Sequence, residues 1–119
     1  MPPDPGDRLE AERAELHDRL VTMEADMARL VEASLDSNAD DEHDPEGQTI
    51  AWERSQLAAL TAGARQHLAD LDDALARVAD GTYGTCTVCG EPIPEGRLEA
   101  RPTARTCVQH AGAPTDRNS

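Results

Sequence analysis

Apolar residues recur through the first third of the chain in alternating steps of four and three. Leu9, Leu16, Met23 and Leu30 stand seven apart, and Leu20 and Met27 fall between them. This alternation keeps one stripe on a single helical face, so it predicts a helix from about Asp7 to Leu35 with a coiled-coil seam. Arg13 and Ser34 occupy further seam positions and mark its polar ends, and the Met residues read as flexible fillers. Asp7 is expected to cap the helix, with Glu10 three residues on completing a capping-box-like start. Residues 1–6, MPPDPG, read as a short disordered arm.

The periodicity stops in DSNADDEHD, residues 36–44, and small polar and acidic residues without an apolar period predict a turn. Asp44 before Pro45 makes a cap and first-position pair, so a second helix is expected to run from there to about Ala79. Gly81 would stop it in the left-handed conformation. Ile50, Leu57, Ala64, Leu71 and Val78 form one seven-residue column, and Leu68 and Leu75 lie on the adjoining one with Thr61 and Arg54 as polar members. Two heptad helices joined by a short loop form an antiparallel hairpin, here residues 7–80. A first helix of 28 residues would be about 42 Å long, which places the turn at a far tip and the rest of the chain at the base. Trp52 lies off the seam near the tip. It is expected to fold over the hairpin end, the alternative being a partner contact. His17 and His67 neighbour seam residues and read as surface or boundary histidines, and His43 lies among the acids of the turn.

Composition supports this mostly α architecture. With 38% hydrophobic residues, one Trp, one Tyr and no Phe in 119 residues, the chain lacks the large apolar groups of a wide globular core. A narrow helical seam needs fewer. No apolar run approaches the roughly 18 residues of a membrane span, and the polar start carries no secretory segment, so a soluble cytoplasmic monomer is expected. Residues 1–80 hold 20 of the 24 acids and 7 of the 11 arginines, which accounts for the whole net charge of −13. Residues 81–119 are neutral, with Arg97, Arg101 and Arg105 balanced against Glu91, Glu95 and Glu99. A sequence-reading finger would need cationic surface for phosphates, so direct nucleic-acid binding is not expected.

All three cysteines lie in that neutral segment. Cys86, Cys89, Cys107 and His110 form a C-x2-C-x17-C-x2-H pattern, in which each two-residue gap aims two ligands at one point. Four soft or borderline donors suit one tetrahedral Zn²⁺, and four protein ligands leave no open position for water. The site is therefore expected to be structural. An odd number of cysteines suits neither a disulfide framework nor an oxidising compartment. Nothing in the chain suggests a catalytic constellation, and no enzymatic activity is expected.

The residues around the ligands, DGTYGTCTVCG and RLEARPTARTC, resemble the DksA/TraR family of zinc-finger proteins. The resemblance implies a finger at residues 81–111, followed by a flexible tail at 112–119, after a long antiparallel coiled-coil hairpin. Many members carry a fourth cysteine where this chain has His110. The resemblance also implies an RNA polymerase-binding transcription factor that inserts its hairpin into the secondary channel and places an acidic tip near the catalytic centre. The partner-binding tip would then comprise Asp40, Asp41, Glu42, Asp44 and Glu46. The family's tip pattern D-x-x-D-x-A is incomplete here: from Asp44 it falls on Gly47 and Thr49, and from Asp41 it runs through Asp44 to Glu46. The basic surface that some members use for guanosine tetraphosphate is missing, so that nucleotide is not assigned. Two other readings stay open, an acidic coiled-coil adaptor for another basic protein and a DNA-binding zinc-finger regulator.

Overall fold

The computed structural model describes residues 4–38 and 45–112, and the side chains of all of these but 37, 38, 45 and 46. It is mostly helical, with α1 (Pro5–Asn38), α2 (Pro45–Asp80), a short α3 (Glu95–Ala100) and a 3-10 turn at Val108–His110. Among the described residues, strand pairing is limited to an isolated antiparallel bridge between Thr85 and Pro92.

The ends of α1 and α2 follow local chemistry. Helix α1 begins at Pro5, ahead of the expected Asp7 cap, and Arg8 N donates to Asp4 O at 3.0 Å. Pro5 tolerates the first turn because it has no N–H to satisfy and its φ is already helical. Pro5 and Gly6 therefore belong to the helix and not to an N-terminal arm, and Asp7 is an acid of the first turn. The other end extends to Asn38, beyond the expected Leu35. Helix α2 begins at Pro45 as the Asp-Pro pair predicts, although Asp44 itself lies outside the described residues. Its C-terminus closes in a Schellman motif: Gly81, at φ 83°, donates to Val78 O at 3.4 Å and Thr82 N donates to Arg77 O at 2.9 Å. Both bonds satisfy carbonyls that the helix end would otherwise leave unpaired.

The chain divides into two compact units, Ala14–Ala69 and Met1–Arg13 with Asp70–Ser119. In the first, α1 and α2 pair along the heptad seam. Leu16, Leu20, Ile50 and Thr61 are buried, whereas Met23, Met27, Leu30, Leu57, Ala64 and Leu68 are only half-buried. A pair of helices encloses its seam on two sides and leaves the flanks open to water. The polar seam members are satisfied internally. Thr61 Oγ1 donates back to Leu57 O at 2.7 Å, and Arg54 Nη1 donates to Ser34 Oγ at 3.1 Å. Trp52 is 64% exposed, and the hairpin end over which it was expected to fold lies outside the described residues.

In the second unit, the first turns of α1, the last turns of α2 and the segment beyond Gly81 surround one another. Leu9, Leu71 and Ala74 are completely buried, and Ile93 and Ala104 nearly so. The segment beyond Gly81 is the third element and covers a flank that two helices leave open. Tyr83 and Leu98 are half-buried, while Val88 and Val108 are exposed and add nothing to this core.

Candidate metal centre

The first ligand pair is presented by a tight loop. Cys86 N donates to Glu91 O at 2.8 Å and Ile93 N to Gly84 O at 2.7 Å, on either side of the Thr85–Pro92 bridge. Between them the chain turns back on itself: Gly90 N donates to Cys86 O at 2.9 Å, and Gly90 adopts φ 75°, a conformation that a Cβ would strain. Val88 N points at Cys86 Sγ, 3.4 Å away. An N–H aimed at sulfur favours the thiolate. The second pair straddles the 3-10 turn, with Cys107 extended before it and His110 N donating to Cys107 O at 3.1 Å.

These turns bring the ligand atoms of Cys86, Cys89, Cys107 and His110 within 4.8 Å of one another. Cys89 Sγ lies 3.9 Å from Cys107 Sγ, and Cys86 Sγ lies 3.8 Å from His110 Nδ1. Cys107 Sγ and His110 Nδ1 are closer, at 3.2 Å. A tetrahedron with Zn–S near 2.3 Å and Zn–N near 2.0 to 2.1 Å has S···S edges of about 3.8 Å and S···N edges of about 3.6 Å. The cluster is thus compatible with one structural zinc ion, approached by the imidazole through Nδ1. Burial pushes the Cys86 thiol up, but backbone N–H groups of Cys89, Cys107 and Val88 and the Cys89 thiol outweigh it, leaving Cys86 at about 6. For Cys89 the N–H of Glu91 pulls the thiol down, yet burial and the neighbouring Cys86 and Cys107 sulfurs raise it above the ordinary value. Three sulfurs this close cannot all carry charge without a cation, and zinc would supply it.

The segment between the pairs is tied down by side chains whose roles the spacing did not reveal. Arg97 Nε donates to Thr106 O at 2.7 Å, just before Cys107, and Thr87 N donates to Arg105 O at 2.9 Å, linking the two ligand turns. Tyr83 hydroxyl donates to Pro102 O at 2.8 Å. The guanidinium of Arg77, a buried residue of α2, spans the carbonyls of Ala104 at 3.3 Å and Thr103 at 3.4 Å. Asp73 sits between Arg77, at 3.2 Å, and Arg105, at 3.4 Å. The RLEARPTAR segment therefore offers carbonyls to arginine and tyrosine donors, and Arg105 pairs with Asp73 of α2. Arg77 lies four residues after Asp73, a spacing that suggests a helical ion pair, but nothing local shows that it would be buried.

The expected partner-binding tip cannot be placed in the same way. Asp40, Asp41, Glu42 and Asp44 lie outside the described residues, as does the side chain of Glu46. Among the described residues, no helix is long and apolar enough to cross a membrane. His17 is exposed and His67 half-buried, neither is among the clustered metal-ligand residues, and His43 lies outside the described residues.

A zinc-binding turn pair joined to paired heptad helices defines a small helical zinc-finger protein. The profile of the prokaryotic dksA/traR C4-type zinc finger matches residues 81–109. An uncharacterized protein of Aquifex aeolicus is 34% identical over 104 residues, which cover 87% of this chain and 69% of that protein. The RNA polymerase-binding transcription factor DksA of Caulobacter vibrioides is 53% identical over 45 residues, 38% of this chain and 32% of that factor. The chain thus spans about a third of the length of the first curated relatives it matches. The structure of transcription factor DksA2 from Pseudomonas aeruginosa superposes with a TM-score of 0.75 at 28% identity, covering 90% of this chain and 77% of that one. The chain belongs to the DksA/TraR zinc-finger family. In place of a C4 set, the position after the matched profile holds His110.

Proposed function

We propose that this chain is a cytoplasmic transcription regulator that binds RNA polymerase and inserts the acidic segment between α1 and α2 into the secondary channel to modulate initiation. The observation that carries this reading is the resemblance of 90% of the chain to the transcription factor DksA2. The polymerase-binding name of the Caulobacter relative points the same way. Cys86, Cys89, Cys107 and His110 would hold one zinc ion, which cross-links the two ligand turns. Three thiolates and a neutral imidazole would leave that centre with one negative charge, and with no position for water it has no hydrolytic role. The neutral charge of residues 81–119 disfavours the reading as a DNA-binding finger. The acids Asp40, Asp41, Glu42 and Asp44 between α1 and α2, with Glu46 in the first turn of α2, would then act on the polymerase and not on nucleic acid sequence.

The test separates binding from regulation. Asp41→Asn combined with Asp44→Asn should leave the circular dichroism spectrum intact, because Asn caps a helix nearly as well as Asp. Polymerase affinity should change by less than about tenfold, or about 1.4 kcal/mol, while the effect on in-vitro initiation is lost. Regulation equal to the parent's would reduce the turn to a solvated loop. Failure of the parent protein to bind polymerase would overturn the reading and favour an adaptor for another basic protein.

A further inference from the structure

The Ala14–Ala69 unit carries an apolar groove that its own seam does not use. Trp52 and Leu60, two turns apart on α2, are 64% and 61% exposed. They rim an open groove of ≈ 430 Å³ whose floor includes Leu30 and Leu57. The heptad pattern does not dictate this arrangement, since Trp52 lies outside both columns of α2. Keeping the only Trp of the chain in water forgoes a large apolar gain, and Trp is the residue most enriched among the side chains that dominate protein interfaces.

The charge around the groove selects the occupant. Asp26, Arg29 and Glu53 line it, and Arg29 pairs with Asp26, which leaves Glu53 as the net acidic charge of the lining. Residues 14–69 together hold 12 acids and 4 arginines, a net charge of −8. A second copy would bring the same −8 against this face, and the tail at 113–119, APTDRNS, has no large apolar side chain to offer. A groove between paired helices accepts the ridge of a third. We infer that this groove docks an amphipathic helix of a protein partner, one that places an aliphatic side chain between Trp52 and Leu60 and flanks it with Lys or Arg. The partner's identity as RNA polymerase rests on the function proposed above, whereas the chemistry of the groove does not.

Two measurements on the zinc-loaded 119-residue chain test this. The first compares polymerase affinity for the parent, Trp52→Ala, Leu60→Gln and Trp52→Phe, with circular dichroism as a folding control. Trp52→Ala and Leu60→Gln should each weaken binding by roughly tenfold or more, and Trp52→Phe by only about threefold. The second follows the emission of the single Trp as a synthetic Leu/Lys amphipathic helix, free of Trp and Tyr, is added. The emission should move to shorter wavelength, with no shift for a Leu/Glu counterpart and a much reduced shift in Leu60→Gln. Equal polymerase affinity for the parent and Trp52→Ala overturns the groove as a polymerase-docking site and leaves the proposed function standing. A peptide-induced shift without polymerase binding by the parent supports the groove and overturns that function. Absence of both overturns both, and sedimentation as a dimer that shields Trp52 from quenchers assigns the groove to a second copy and overturns the proposal.

Discussion

The two compact units use the same pair of helices to different ends. In the unit containing the finger, Leu9, Leu71 and Ala74 are fully excluded from water, and a buried arginine ties α2 to the carbonyls before Cys107. In the Ala14–Ala69 unit the seam residues Met23, Met27, Leu30 and Leu57 stay half-exposed, and large apolar side chains rim an open groove. The difference lies in the number of covering elements and not in the heptad pattern, which continues through both. Two helices alone make a surface, and a third covering segment turns the same stripe into a core.

Removing the metal should break this contrast most severely. Structural zinc contributes roughly 10 to 16 kcal/mol of apparent binding energy in small finger peptides near neutral pH. The apolar groups around Ile93, Tyr83 and Leu98 are too few to replace it. Chelation, or Cys107→Ser, should therefore abolish protection of residues 81–111 from protease while far-UV circular dichroism retains much of its helical signal. Metal analysis should find one zinc per chain, with His110→Ala binding it more weakly than the parent. The same site should empty as pH falls, because protons compete for the thiolates.

Truncation of one seam side chain in each should then grade the two units. Leu71→Ala removes a fully buried side chain and should cost about 3 to 4 kcal/mol in urea denaturation. Met27→Ala, at a half-buried seam position that borders open space, should cost about 1 kcal/mol. Equal costs would mean that burial in the two units does not differ as described.

Arg77→Met keeps much of the side-chain volume but strips the donors from Thr103 O and Ala104 O and leaves Asp73 facing Arg105 alone. A loss of about 2 to 3 kcal/mol is expected, together with faster amide exchange in residues 102–107, because those carbonyls and Asp73 lose their shared donor while staying partly buried. A small effect, comparable to that of Met27→Ala, should come from Gly81→Ala. Its φ of 83° costs an L-residue about 1 kcal/mol, and no side chain lies near enough to clash. Thermal melting would register this as a drop of a few degrees with the fold unchanged.

Much of the architecture was legible before any coordinates. The seven-residue columns led to two helices, the Asp-Pro pair to the start of α2, Gly81 to its stop, and the C-x2-C and C-x2-H spacings to four converging ligands. Each of these is a local property, since a helical face, a capped end or a two-residue knuckle is set within a few residues by backbone geometry. The start of α1 was misplaced because Asp7 offers the stronger capping side chain, while Pro5 needs no cap for the N–H it lacks.

What the tertiary structure decided depends on neighbours distant in the chain. Periodicity assigned Leu71 and Met27 to equivalent stripes, but only the covering segment beyond Gly81 makes one of them core. Charge counting balanced Arg105 against finger glutamates, whereas Asp73, 32 residues earlier, is its partner. The pattern named His110, but the approach through Nδ1 follows from the 3-10 turn that swings the ring toward Cys86 and Cys107. Spacing along the chain determines which atoms face the same way. Burial and hydrogen-bond partners are set by whatever else folds against that face, which no local rule contains.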